Sequence, residues 1–166
     1  MMKKILISIS LIILAGILAS YLYVKASAAS DGDEAPNFVA ELVDGTKFQL
    51  TDLRGHYVLL NFWGSWCGPC RQDNPELVQL HEKFDDKLTI VTIALEKDGQ
   101  AGKIEAVKDG FSWKYQIVEE TSLVLLSSIA RSYGVSEIPA KFLISPDGIL
   151  LKQHSYKEID QLLSKK

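Results

Sequence analysis

The chain has 166 residues, of which 18 are Lys or Arg and 21 are Asp or Glu, so its formal net charge at pH 7 is −3. An acidic chain without a basic run is a poor partner for nucleic acid or for an anionic lipid surface, and neither is expected to bind. The only two cysteines lie three positions apart, which excludes the spread disulfide framework typical of small exported domains.

The first predicted element is an uncharged apolar run over residues 5–24. Twenty helical residues at about 1.5 Å each match the roughly 30 Å hydrocarbon core of a bilayer. Because cleaved signal peptides usually have shorter cores of about 7–15 residues, the run favours an uncleaved signal anchor over residues 1–28, with the lipid bilayer as its partner. The alternative is a signal peptide that is cleaved near Ala28 and releases the chain into the periplasm.

Charges on the two sides of the apolar run predict its orientation. Lys3 and Lys4 precede it, and the acids Asp31, Asp33 and Glu34 follow it. The positive-inside rule then leaves the N-terminus in the cytoplasm. We therefore expect the remaining chain to lie in the cell envelope, on the periplasmic or extracytoplasmic face of the membrane.

The rest of the chain divides into a short linker and one domain. Residues 29–36 are small, acidic and turn-forming, and residues 37–166 have the usual size of a domain with one core. Periodicity and turn signals predict a hairpin about Asp44-Gly45, strands over 57–63, 88–95, 140–145 and 149–153, and helices over 70–84, 100–109, 122–132 and 156–163. Strands that alternate with helices indicate an α/β fold with a central mixed sheet flanked by helices.

The clearest chemical signal is the motif Trp66-Cys67-Gly68-Pro69-Cys70, between a predicted buried strand and a predicted helix. This position puts Cys67 in the first turn of the helix, where unpaired N–H groups and the helix dipole favour a thiolate. Thiols at such positions can have a pKa lowered from about 8.5 to between roughly 3.5 and 7.5. The motif predicts a redox-active pair that needs no cofactor, with Cys67 as the nucleophile and Cys70 as the resolving thiol.

Two simpler uses of the cysteine pair are less well supported. A disulfide that closes so short a loop constrains the unfolded chain weakly, so it would be a poor structural crosslink. A structural zinc site needs four ligands, whereas His56, His81 and His154 stand singly without ligand spacing. No metal is expected.

The chain resembles the TlpA/ResA branch of the thioredoxin family, which consists of bacterial, membrane-anchored, extracytoplasmic thioredoxins. The resemblance covers about residues 34–163 and is carried by W-C-G-P-C with Pro75, by Gly134–Pro139, and by the segments 35–38, 50–55 and 61–63. It implies a thioredoxin-like fold and thiol:disulfide oxidoreductase activity. It also implies a cis peptide bond at Pro139 and a substrate groove bordered by Ile138, Pro139 and Trp66.

Three polar positions near the motif carry separate expectations. Thioredoxin has a buried acid where this chain has Asn61, and some members of the branch have an acid three residues after the second cysteine, which is Asp73 here. By resemblance Asp73 is a possible proton carrier; the alternative is a solvated acid that complements the helix dipole. Arg71 is expected to point toward solvent. Glu96 is expected to be a solvated loop acid, with a position bordering the site as the alternative.

The segment from Glu96 to Glu120 resembles the insertion that distinguishes the branch from plain thioredoxin, and the sequence assigns it no role. The Gly68-Pro69 pair resembles that of thioredoxin, whose potential is about −270 mV against about −120 mV for DsbA. The resemblance therefore favours a monomer that reduces disulfides of exported proteins, with apocytochrome c as a possible substrate and a membrane thiol as electron donor. The alternatives are a disulfide oxidant or isomerase, a non-catalytic copper-delivery or chaperone module, and a peroxidase, for which the cysteine pattern is wrong.

Overall fold

The computed structural model describes residues 9–19, 29–151 and 155–165. Residues 9–19 are helical (α1) and expose apolar side chains such as Ile12 and Leu14. Within these described ranges no helix is both long and apolar enough to cross a membrane. The predicted span over residues 5–24 extends at both ends beyond the described residues.

The described domain contains a small hairpin and a larger sheet. Its strands are β1 (Val39–Glu41), β2 (Lys47–Gln49), β3 (Tyr57–Trp63), β4 (Leu88–Glu96), β5 (Tyr115–Glu120), β6 (Ala140–Ile144) and β7 (Leu150–Leu151), and its helices are α2 (Gly68–Phe84), α3 (Gly99–Lys108), α4 (Ser128–Ser132) and α5 (Tyr156–Ser164). Strands β1 and β2 pair antiparallel by themselves, and the other five form a sheet of order β5-β4-β3-β6-β7. Because β4 runs parallel to β3 and β6 antiparallel, the sheet is mixed as predicted.

Both faces of the sheet are covered, which is why β3 is an almost continuous apolar run. Its residues Val58, Leu60 and Phe62 belong to a core completed by the hairpin and α4, whereas Leu59 and Trp63 belong to the core under α2, α3 and α5. The two cysteines lie in this second core. The sheet therefore positions the motif at the C-terminal end of its central strand.

Helix α2 has a clear start and a clear buried face. Cys67 is its N-cap, and Pro69 lies in the first turn, where a missing N–H costs no hydrogen bond. Leu77, Leu80 and Phe84 recur at helical spacing and are buried. Complete burial of each such side chain contributes about 1.5–3 kcal/mol to stability.

One prediction about the segment before α4 is wrong, and one strand in it was not predicted. The single helix over 122–132 is replaced by a 3-10 turn at Val124–Leu126 and the five-residue α4. The reason is Ser127, whose backbone is extended and whose hydroxyl accepts a hydrogen bond from the N–H of Ala130, so that α4 begins there. The sequence patterns also missed β5, which pairs with β4 through the register Ile93↔Ile117.

The predicted linker makes backbone contacts with the domain. The N–H of Gly32 donates to the carbonyl of Leu150, and that of Ala35 donates to the carbonyl of Gly148. Residues 32–35 therefore follow the edge of the sheet at β7. The division of the chain into residues 1–28, 29–36 and 37–166 stays a prediction.

Candidate active site

Cys67 and Cys70 form a disulfide at the start of α2. The N–H of Cys70 points at Cys67 Sγ over 3.2 Å, so the helix terminus directs a backbone donor at this sulfur. Both cysteines are buried in this form, with 5% of Cys67 and 1% of Cys70 exposed. Donors of this kind stabilise a thiolate at the same position once the disulfide is reduced.

The loop before β6 borders the disulfide. The peptide bond between Ile138 and Pro139 is cis, as the resemblance predicted. The Ile138 carbonyl oxygen lies 3.7 Å from Cys67 Sγ, and both loop residues are half-buried. This backbone therefore forms one wall of the approach to Cys67.

A groove of about 590 Å³ opens beside Trp66. Its wall nearest the cysteines is Trp66, which is 59% exposed and whose indole N–H donates to the carbonyl of Leu95 over 2.8 Å. The remaining lining is Ser65, Leu95, Glu96, Lys97, Asp98, Ala101, Thr121, Ser122, Leu123, Val124, Leu125 and Ser136. The surface of the groove is largely apolar, and its lining reaches Trp66, the residue before Cys67.

Arg71, directly after Cys70, is held by acids of α3 and its C-cap. Its guanidinium lies 2.5 Å from Asp109 and 2.6 Å from Glu105, and Asn74 donates to Asp109 over 2.6 Å. The hydrogen bond to Asp109 is the main reason that the pKa of Arg71 is raised. Arg71 was expected to point toward solvent; its side chain is 32% exposed, but the insertion supplies two carboxylates that bind it.

Asp73 is also in an ion pair. Its carboxylate accepts from Lys141 Nζ at 2.7 Å, and this lysine lies opposite Asn61 in the β3–β6 register. The same ammonium lies 4.3 Å from the ring centre of Tyr156, whose hydroxyl donates to Asn61. Burial, followed by the charge of Asp73, raises the pKa of Tyr156 well above its usual range, so this phenol stays protonated.

Comparison with known proteins assigns the chain. The family model AhpC/TSA matches residues 32–153. The chain belongs to the AhpC/TSA family. It is 34% identical over 149 residues to the thiol-disulfide oxidoreductase ResA of Bacillus thuringiensis (strain Al Hakam), covering 87% of this chain and 83% of that protein. It is also 31% identical over 172 residues to the thioredoxin-like protein YneN of Bacillus subtilis (strain 168), covering 98% of both chains.

Solved structures support the same assignment. A thiol-disulfide oxidoreductase from Bacteroides fragilis NCTC 9343 superimposes with a TM-score of 0.70 at 30% identity, covering 81% of this chain and 100% of that one. A protein from Chlorobium tepidum assigned as the thiol:disulfide interchange protein DsbE gives a TM-score of 0.72 at 27% identity, covering 83% and 98%. The fold is therefore thioredoxin-like, and the protein is a thiol-disulfide oxidoreductase that works by dithiol exchange.

The structure brings most of the predicted site residues of this oxidoreductase together. Cys67 and Cys70 form the disulfide, Ile138 next to Pro139 borders it, and Trp66 lines the groove. Their individual roles in exchange stay predictions. The two interpretations of Asp73 also stay open. Its carboxylate is 38% exposed and is paired with Lys141, and this contact decides neither for a solvated acid nor for a proton carrier.

Sequence patterns failed most clearly for Glu96. It was expected to be a solvated loop acid, but it ends β4 and is only 1% exposed. Its carboxylate accepts hydrogen bonds from the N–H of Ser65 at 2.5 Å and from the Ser65 hydroxyl at 2.8 Å. The alternative, that Glu96 borders the site, is the correct one. The signal available in the sequence was its place at the C-terminal end of a strand parallel to β3, the edge where sites of α/β sheets are built.

Proposed function

We propose that this protein reduces disulfides in exported polypeptides outside the cytoplasm, through Cys67 and Cys70. The observation that carries the proposal is the disulfide at the start of α2, beside an open apolar groove. A buried nucleophile such as Cys67 can meet a substrate sulfur only if the substrate chain lies against the surrounding surface. Ile138 and Trp66 supply that surface.

In the exchange, the sulfurs of Cys67 and Cys70 react one after the other. The Cys67 thiolate attacks one sulfur of the substrate disulfide and releases the other as a thiolate, which leaves a mixed disulfide on Cys67. The Cys70 thiolate then attacks Cys67 Sγ and releases the second substrate thiolate. Two electrons pass to the substrate, and the Cys67–Cys70 disulfide remains, which is the state of this structure. A membrane thiol donor would reduce it again by the same steps in reverse.

The charges around the motif support the reducing direction. A strong oxidant of the DsbA type needs its reduced thiolate to be strongly stabilised. Gly68 and Pro69 carry no charge, and the cation closest in sequence, Arg71, is neutralised by Glu105 and Asp109. The N-terminus of α2 then remains to stabilise a thiolate on Cys67, and it does so moderately. We therefore expect a reduction potential nearer to that of thioredoxin than to that of DsbA.

The resemblance adds the cellular setting. A signal anchor over residues 1–28 would hold the domain at the extracytoplasmic face, where an oxidised apocytochrome c is a candidate substrate. A reporter that is active only outside the cytoplasm, fused after residue 166, tests the orientation. Recovery of a soluble product beginning near Ala29 would support cleavage instead of anchoring.

A potential measurement tests the direction of transfer. The full-length protein is equilibrated against glutathione or dithiothreitol buffers and followed by tryptophan fluorescence, because Trp63 and Trp66 flank the disulfide. We expect a potential well below about −180 mV, the value for protein disulfide isomerase. A more oxidising potential would refute the reductase proposal and favour the oxidant or isomerase.

A trapping experiment identifies the substrates. In Cys70→Ser the resolving thiol is absent, so mixed disulfides should accumulate on Cys67 and be released by dithiothreitol. The double variant Cys67→Ser, Cys70→Ser is the matched control and should trap nothing. Stoichiometric copper retention by the purified unmodified protein, together with no polypeptide trapped on Cys70→Ser, would instead favour the copper-delivery alternative.

A further inference from the structure

Glu96 is a buried acid that none of the exchange steps uses. Both of its carboxylate oxygens accept hydrogen bonds from Ser65, one from the backbone N–H and one from the hydroxyl. Ser65 lies two residues before Cys67, in the turn that connects β3 to α2. Burial of a carboxylate destabilises the fold unless the carboxylate is hydrogen-bonded. The hydrogen bonds from this turn therefore offset the cost of burying Glu96.

The turn is attached to β4 at two successive residues. Trp66 donates its indole N–H to the Leu95 carbonyl, and Ser65 binds the carboxylate of the next residue, Glu96. These contacts hold both residues that precede Cys67. The nucleophile is therefore located by the end of β4 as well as by its own helix.

The insertion helix α3 seals this carboxylate in place. A Cβ atom on Gly102 would lie 2.9 Å from Glu96 Cγ and 3.3 Å from its Oε1, which is too close for any side chain without movement of the acid. Glycine at this position lets α3 pack directly on the stem of Glu96. The insertion thereby packs against the acid on the side of α3.

We propose that Glu96 is a positioning residue for dithiol exchange, which acts on Cys67 through Ser65. Its hydrogen bonds hold the turn so that Cys67 Sγ stays within reach of both Cys70 and an incoming sulfur. Its buried negative charge also opposes a thiolate on Cys67 and so favours the disulfide form. The positioning effect acts on forward and reverse exchange alike, whereas the charge effect shifts the equilibrium toward the disulfide; both hold whichever way electrons flow in the cell.

The equilibrium with glutathione measures the effect of the Glu96 charge. Two glutathione thiols supply two electrons and two protons to the Cys67–Cys70 disulfide, which gives two cysteine thiols and one oxidised glutathione. In Glu96→Gln the amide keeps the shape, can still accept from the Ser65 N–H, and lacks the charge. We expect the equilibrium constant for reduction to rise about tenfold, a potential about 30 mV more oxidising, with the thermal midpoint within a few degrees of the unmodified protein.

A second variant, Gly102→Ala, measures how far Glu96 positions the turn before Cys67. Gly102→Ala keeps the charge but places a methyl group 2.9 Å from Glu96 Cγ, so the acid must shift from the position in which it binds Ser65. We expect the reduced full-length protein to react several-fold more slowly with oxidised glutathione. If Glu96→Gln fails to fold, this rate still tests the proposal.

The matched control is Glu82→Gln, which removes one acid from the exposed face of α2. Its equilibrium constant and rate should stay within twofold of the unmodified protein. If Glu96→Gln matches Glu82→Gln in its equilibrium constant and differs only in thermal midpoint, Glu96 is a structural residue and the proposal is refuted. An unchanged exchange rate in folded Gly102→Ala would also refute it. The potential of the unmodified protein decides the direction of transfer separately.

Discussion

Helices α2 and α3 cover the same face of the sheet but are held to it in different ways. α2 buries Leu77, Leu80 and Phe84, whereas the buried residues of α3 are Gly99, Gly102 and Ala106. Large apolar side chains contribute most of the stability of such a layer, and glycine contributes close approach instead. The comparison indicates that α2 stabilises the fold through apolar burial, while α3 packs closely on Glu96 and supplies acids to Arg71.

The largest effect on stability should therefore come from α2. Leu77→Ala removes a side chain with no exposed surface and leaves a cavity beside Trp63 and the cysteines. We expect a loss of about 3 kcal/mol in the free energy of unfolding, measured by urea denaturation. Ile104→Ala on α3, where the side chain is half exposed, should cost less than about 1 kcal/mol. Equal losses at the two positions would contradict the comparison.

An intermediate effect is expected where the two helices meet. Arg71→Met removes the ion pairs with Asp109 and Glu105, and we expect a loss of about 1 kcal/mol at pH 7, since Arg71 is partly screened by solvent. The pKa of Glu105 is lowered, first by its hydrogen bond to Lys108 and then by Arg71. A lowered pKa stabilises the fold above the ordinary carboxyl pKa, and this stabilisation is lost as the pH falls through the lowered value.

The cost of Arg71→Met should therefore shrink as the pH falls through the lowered pKa of Glu105, because a protonated Glu105 no longer attracts the guanidinium. Urea denaturation of both proteins at pH 7 and at low pH measures this convergence. A cost that is the same at both pH values would show that Arg71 stabilises the fold through packing and not through charge.

A substitution in the groove should have the smallest effect on stability but a clear effect on activity. Leu123 is 63% exposed, so Leu123→Ser should change the free energy of unfolding by less than about 0.5 kcal/mol. If the groove binds the polypeptide beside its disulfide, kcat/KM for a polypeptide substrate should fall roughly three- to tenfold, in line with about 1 kcal/mol of apolar contact. The rate with glutathione disulfide, which is too small to reach the groove, should not change.

Val107→Ser is the matched control for this test, since Val107 is exposed on α3 and lies outside the groove lining. It should leave both substrates unaffected. If Leu123→Ser slowed the reaction with glutathione disulfide to a similar extent, the substitution would act on the cysteine pair and not on the groove.

Local sequence signals predicted the central part of the site well. The apolar run of β3, the punctuation at Gly68-Pro69 and the helical spacing of α2 each depend on a few neighbouring residues, and β3 was predicted to the residue. The resemblance supplied the cis bond at Pro139, which no local pattern would have predicted. The fold class followed from the alternation of strands and helices.

Features that depend on distant contacts could not be predicted in this way. The burial of Glu96 requires Gly102 to lie on it, and the pairing of Arg71 requires Asp109 to lie 38 positions along the chain but next to it in space. The polar sequence of β5, with two glutamates at its end, hid a strand that forms only because β4 offers a parallel edge. Ser127 interrupts an otherwise helical pattern through its own cap.

The order of strands in the sheet has a consequence for how the protein matures. β3 receives one set of hydrogen bonds from β4, which follows soon after it, and the other from β6, at residues 140–144 near the end of the chain. A chain that emerges N-terminus first from a ribosome or a translocation channel therefore leaves one edge of its central strand unpaired until almost all residues have appeared. The wall formed by Ile138 is missing for the same period. The redox centre is thus among the last parts of the molecule to be completed, and its thiols meet their surroundings before their own fold protects them.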